Sequence, residues 1–177
     1  MNGTISFHMN KLSFLLLLTF IAFSSSCQKD DLCTPDQQTT PRMVIVFKDA
    51  NNPSEVKQVD QLQVRDIASV DFAPLDFNGS TVLTAVDTIY LPLRRLSELT
   101  SYNFVAEIED ETNVDNVIFN YSTEDAFVNR ACGFVVNYND LTGNRSDENP
   151  SNFWIRDVVA IENSINDSKT VHIEIRH

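Results

Sequence analysis

A chain of 177 residues with 13 Lys and Arg against 25 Asp and Glu carries a formal net charge of −12 at pH 7. That balance repels nucleic acid and anionic headgroups at long range, so DNA and RNA are excluded as expected partners and the acidity reads as solubility. The length supports one domain with a core of its own, is awkward for two, and contains no repeat of fixed period.

In chain order, Lys11 precedes an uncharged apolar run from Leu12 to Phe23, with Met9 the more typical start. A positive region followed by an apolar region of this length reads as a signal peptide. A membrane-spanning helix needs about 20 apolar residues, and Ser24-Ser25-Ser26 interrupts the run well before that. A core helix of a small domain would show a polar face, and this run has none. The expected division is a signal peptide over 1–26, a tether and linker over 27–41, and a single domain over 42–177.

Phe23-Ser24-Ser25-Ser26-Cys27 resembles a bacterial lipobox, in which small residues precede a cysteine that is acylated before the signal is removed. Ser25 and Ser26 fit that pattern, whereas Ser24 stands where leucine is usual. The resemblance implies lipid on Cys27 and the membrane as a partner through that lipid. Each buried methylene contributes about 0.8 kcal/mol, so one acyl chain is marginal and two or three hold a protein durably. The alternative is an ordinary secretory signal followed by a cysteine that pairs with another. Gln28-Lys29-Asp30-Asp31 is similar to the acidic export signal of lipoproteins in the Bacteroidota, which implies the outer membrane and the cell surface. A periplasm-facing protein with a solvated charged tether is the other reading of the same residues.

There are three cysteines. With lipid on Cys27, Cys33 and Cys132 remain as an even pair, and outside the cytoplasm such a pair is commonly oxidised. A bridge would staple the tether to a core strand and close a loop of about 100 residues, for which chain entropy gives about 4.7 kcal/mol, measured values often being lower. Cys27 with Cys132, or free thiols, are the alternatives.

Thr34-Pro35-Asp36-Gln37-Gln38-Thr39-Thr40-Pro41 has linker composition. Met43-Val44-Ile45-Val46-Phe47 is a short β-branched run closed by Asp49-Ala50-Asn51-Asn52-Pro53, which predicts a buried strand. Alternation then recurs at Leu62 and Val64; at Ile89, Leu91 and Leu93; at Phe104, Ala106 and Ile108; and at Val117, Phe119 and Tyr121. It continues at Cys132, Phe134, Val136 and Tyr138, and at Val171, Ile173 and Ile175, each set opposite polar neighbours. Period two repeated this often predicts half-buried antiparallel strands. Pro92 cannot donate to a ladder, which places its strand at a sheet edge. Asn78-Gly79-Ser80, Glu109 to Asn113 and Leu141 to Pro150 read as turns and loops, the last being the longest. Trp154, Val158, Ile161 and Ile165 recur at helical spacing, yet Ile155, Val159 and Ile161 suit a strand. A hairpin partner is wanted for Lys169 to Arg176, so a strand is expected there. About seven to nine strands predict an all-β antiparallel β-sandwich, immunoglobulin-like or related, with a β-barrel as the alternative.

Chemistry-bearing motifs are scarce. No Gly-x-Ser-x-Gly elbow, His-Glu-x-x-His pair or phosphate-cradling glycine loop is present. Alternation assigns His172 to the polar face of the last strand, a surface residue, and His177 follows it. No catalytic residue, metal ligand or cofactor is therefore expected. The acidic stretch Glu107 to Asp115 lacks the order of a calcium loop and reads as a solvated turn. Asp87-Thr88-Ile89 resembles the three-residue O-glycosylation acceptor of exported proteins of the same phylum, which implies sugar on Thr88 provided that its face is not buried.

The body of the chain, chiefly Asp87-Thr88-Ile89-Tyr90-Leu91-Pro92-Leu93 and Arg130-Ala131-Cys132-Gly133-Phe134, resembles an uncharacterised family of small flavobacterial lipoproteins. The resemblance implies an address and supplies no catalytic residue. The expected function is a lipid-anchored, non-enzymatic binding or scaffold module with an unidentified extracellular or envelope partner. A carboxylate-dependent glycan hydrolase and an accessory subunit of an envelope complex are the rivals; facing acids would mark the first and a large exposed apolar patch the second.

Overall fold

The structure is a computed structural model that describes residues 33, 39–108, 111–146 and 153–177. The signal peptide, Cys27 and the export segment Gln28, Lys29, Asp30 and Asp31 lie outside the described residues. Nine strands follow in order: β1 (Met43–Lys48), β2 (Val59–Asp66), β3 (Leu83–Val86), β4 (Thr88–Leu91), β5 (Leu99–Ile108), β6 (Glu111–Asn129), β7 (Gly133–Arg145), β8 (Asp157–Ala160) and β9 (Ile173–Arg176). They form a four-stranded sheet in the order β4-β1-β9-β8 and a five-stranded sheet in the order β3-β2-β5-β6-β7. The all-β sandwich expected from the alternation is the observed architecture.

The pairing is antiparallel except for β1 and β9, which run parallel with Ile45 opposite Ile173 and Phe47 opposite Ile175. A parallel pair needs a long connection between its strands, and the first and last strands of the domain have one. Between β4 and β9, β1 is central in its sheet, and Met43, Val44, Ile45 and Phe47 are all buried.

Directly opposed residues share a sheet face, so the alternating sets meet as cross-strand pairs. Leu62 faces Ala106, Val64 faces Phe104, and Tyr102 faces Val117. The largest fully buried side chains include Phe47, Phe104, Phe119 and Tyr138. Each such aromatic contributes about 1.5–3 kcal/mol by leaving water.

Pro92 follows β4, and β4 is an edge strand as expected. At the other sheet's edge, β7 is sealed by residues 163–165: Tyr138 N–H donates to Ile165 O at 3.1 Å, Ile165 N–H to Tyr138 O at 2.7 Å, and Leu141 N–H to Asn163 O at 2.9 Å. Covering an exposed ladder in this way removes a template for intermolecular pairing.

Two expectations about the second half need correction. Leu141 to Arg145 is the end of β7 rather than loop. Gly143 sits there because β8 packs closely over it: a Cβ would stand 2.7 Å from Val158 Cγ1 and 3.1 Å from Phe119 Cε1. His172 is not on the surface but wholly buried. Its Nδ1 accepts from Val44 N–H at 3.0 Å, and Ile161 N–H and Glu162 N–H both donate to its carbonyl, which folds the β8–β9 connection back against it. The Trp154 to Ile165 stretch contains the short strand β8, antiparallel to β9, as the hairpin argument expected.

Candidate functional site

The pairing of β5 with β6 ends at Asn120, opposite Leu99. Beyond it β6 leaves β5 and stays paired with β7, through a register shift between Asn120 and Ser122, and the two run on as a ribbon. A bulge bends a strand and increases its twist, which turns the ribbon away from the sheet. Its end is the turn Arg130-Ala131-Cys132, where Asn129 Oδ1 accepts from Ala131 N–H at 2.9 Å and Cys132 N–H at 2.8 Å. Gly133 closes the turn at φ +70°, a conformation that favours glycine.

One face of the ribbon carries Thr123, Asp125 and Phe127 opposite Tyr138, Val136 and Phe134. Tyr138 and Val136 are buried, but Phe127 is 61% exposed and Phe134 59%. The two rings meet edge-on with centroids 5.3 Å apart. Beside them Leu96, in the connection after β4, is fully exposed. Arg95, Leu96, Thr123, Asp125, Phe134 and Val136 line an open groove of about 630 Å³.

The connection that carries Leu96 is held rigidly. Tyr102, Tyr138 and Tyr121 donate their hydroxyls to the successive carbonyls of Pro92, Leu93 and Arg94, the last two at 3.1 Å and 3.0 Å. Thr100 Oγ1 lies 2.6 Å from Tyr121 Oη and accepts from Arg94 N–H at 3.1 Å, which closes the ring. The Arg94 guanidinium pairs with Asp66, Nε to Oδ2 at 2.8 Å, and that hydrogen bond holds the Asp66 carboxyl below its usual range. Burial pushes the Tyr138 phenol up to about 12 and raises those of Tyr102 and Tyr121 as well. All three hydroxyls therefore stay protonated donors at ordinary pH. Alternation places Tyr121 and Tyr138 in the core but carries no sign of the hydroxyl bonds, because the acceptors lie in an irregular segment.

The ribbon also receives the N-terminal segment. Cys33 is bridged to Cys132 with Cα atoms 4.9 Å apart across a sequence separation of 99, and Thr40 Oγ1 accepts from Val136 N–H at 3.2 Å. Of the sequence-derived site residues the structure brings this pair together. Cys132 lies in the hairpin turn rather than on a core strand face, so the bridge pins the tether to the ribbon's tip. Thr88 lies elsewhere, half-buried on β4, with its hydroxyl donated to Asp87 Oδ1 at 2.9 Å.

Within the acidic stretch, Asp115 is buried rather than solvated. Its Oδ2 accepts from Ile155 N–H at 2.7 Å, and burial raises its pKa. A second hollow of about 440 Å³ lies against Lys57, Glu111, Phe153, Trp154, Arg156 and His177. There Lys57 Nζ donates to His177 O at 3.0 Å and approaches Asp49 Oδ2 at 3.8 Å. Among the described residues the first hollow is lined by one acidic side chain, Asp125, and the second by one, Glu111. Among the described residues no group of three or more His, Cys, Asp or Glu is arranged to hold a metal ion.

The family of unknown function DUF6452 matches residues 75–177. The chain belongs to that family. Its match takes in β3 to β9, and with them the whole ribbon, the tyrosine-held connection and Cys132. Neither a curated protein nor a solved structure matches this DUF6452 member.

Proposed function

We propose that this protein is a lipid-anchored β-sandwich of the cell envelope, a non-enzymatic binding or scaffold module whose contact surface is the ribbon and its groove. The observation that carries the reading is the bridge between Cys33 and Cys132. Such bridges persist in oxidising compartments, and this one uses both cysteines other than Cys27. Cys27 then stands alone at the end of the lipobox-like segment, available for acylation. The likeness of Gln28 to Asp31 to an export signal adds the outer membrane and the cell surface, and the likeness to small flavobacterial lipoproteins agrees with that address.

Glycan hydrolysis needs two carboxyl groups about 5–10 Å apart across a bound sugar. Among the described residues the groove is lined by one acidic side chain, Asp125, which favours the binding reading over the hydrolase. Feeding cells a tagged fatty acid is the direct test. The wild type should take up label and sediment with membranes, and Cys27→Ala should do neither; equal labelling of the two would defeat the anchor. Protease added to intact cells should degrade a surface-displayed protein and spare a periplasmic one.

A further inference from the structure

We infer that the tip of the β6–β7 ribbon is the face this domain seats on the bilayer, with Phe127, Phe134 and Leu96 in a zwitterionic lipid interface. The inference rests on lipid at Cys27, as proposed above. Its independent support is where the bridge ties the chain. Cys33 lies six positions after Cys27, and an extended chain covers at most about 3.6 Å per residue, so with the 4.9 Å between the bridged Cα atoms Cys132 stays within roughly 27 Å of an acylated Cys27. Phe134 is two positions beyond Cys132 and pairs with Phe127. Without the bridge the first point held to the domain among the described residues would be Thr40, thirteen positions from Cys27, and the reach would grow to roughly 47 Å.

The bridge also selects one end of an elongated body. From Asp115, which holds Ile155, to Phe127 is twelve positions of β6, at most roughly 40 Å along the strand at 3.3 Å per residue. At the end that the bridge draws to the lipid, Phe127 and Phe134 stand uncovered against each other with Leu96 beside Phe134; other apolar side chains, among them Val70, Phe77 and Val114, are exposed as well, and Trp154 is buried. Phe and Leu side chains presented together on a peripheral element enter the headgroup and acyl boundary to about 5–10 Å. A bilayer is thus the occupant that both the uncovered side chains and the short tether fit.

The chain has one tryptophan, Trp154, which serves as an internal control. The experiment uses the full lipidated protein in phosphatidylethanolamine and phosphatidylcholine vesicles with brominated acyl chains. Emission from Trp154 in the wild type should be unquenched. The indole added by Phe134→Trp, or separately by Phe127→Trp, should shift to the blue on vesicle addition and lose most of its emission to bromine. In the Phe134→Trp background, Cys33→Ser together with Cys132→Ser should give back most of that emission, since the longer tether frees the orientation. An added indole that stays unquenched in protein whose lipid is verified by mass spectrometry overturns the seating and leaves the anchor standing. Crosslinking of that indole's face to a protein, with quenching absent, overturns it in favour of a protein occupant. Equal quenching of Trp154 overturns the fixed orientation. A bare Cys27 in the native protein removes the anchor and the seating together.

Discussion

Val44 N–H donates to His172 Nδ1 and His172 N–H donates to Val44 O, both at 3.0 Å, so the imidazole completes a reciprocal pair with the backbone of β1. Nδ1 is the acceptor and the neutral ring carries its proton on Nε2, which meets no partner among the described residues. Burial lowers the pKa of His172, against the opposing pull of Asp167 and Glu162, and burial lowers that of the half-buried His177 too. A second proton, on Nδ1, would face the Val44 N–H and break the bond. The unfolded chain takes up protons near pH 6.5 while the native chain resists them, so the stability from these histidines is present above about pH 6.5 and is lost as pH falls below it. Denaturant midpoints measured from pH 7.5 to 5 should fall accordingly. His172→Phe should flatten that slope to the part due to His177 and cost about 1–3 kcal/mol at pH 7.5, by leaving Val44 N–H unsatisfied; an unchanged slope would show that His172 does not titrate in folding. The alternation that reads His172 as a surface residue has the parity right. It has no knowledge of the 161–171 connection that returns over the ring.

At the level of elements, β7 is the strand on which most of the molecule's irregularity falls. Its first half forms the ribbon, its middle pairs with 163–165, and its end passes under β8 at Gly143. Gly143→Ala would drive a methyl into Val158 and the fully buried Phe119 ring, and neither a β-branched side chain nor a core aromatic yields easily. The expected loss is about 1–3 kcal/mol, the ordinary cost of overpacking, read as a lower urea midpoint at unchanged slope; an unchanged midpoint would show that β8 shifts freely. Composition conceals this strand end. Thr142, Gly143, Asn144 and Arg145 read as loop because only one small residue fits beneath β8 and its neighbours are exposed or half-buried. For the same reason β8, a four-residue edge strand, leaves helix and strand spacings equally plausible in the sequence.

For the whole molecule, the bridge ties the N-terminal segment to the tip of the ribbon across a sequence separation of 99. Cys132→Ser should cost about 2–4 kcal/mol, visible as matching urea midpoints for the variant and for reduced wild type, both below the oxidised wild type; a variant as stable as the oxidised protein would show that the bridge constrains only the tether. The sequence alone determined that the chain is all-β, which residues alternate inward, that the strand before Pro92 lies at an edge, and that Cys33 and Cys132 are natural partners once Cys27 is assigned to lipid. Period two is a property of the extended backbone itself, and local residues are enough to express it. Only the tertiary structure decided which inward faces are covered. Phe134 and Tyr138 share one parity, yet Tyr138 lies under the opposing layer and Phe134 lies beyond its reach. The parallel pairing of β1 with β9, the burial of His172 and the placement of Cys132 at a hairpin turn have the same cause. Cover depends on how far the facing sheet and the returning loops extend, and that is set by residues distant in the chain.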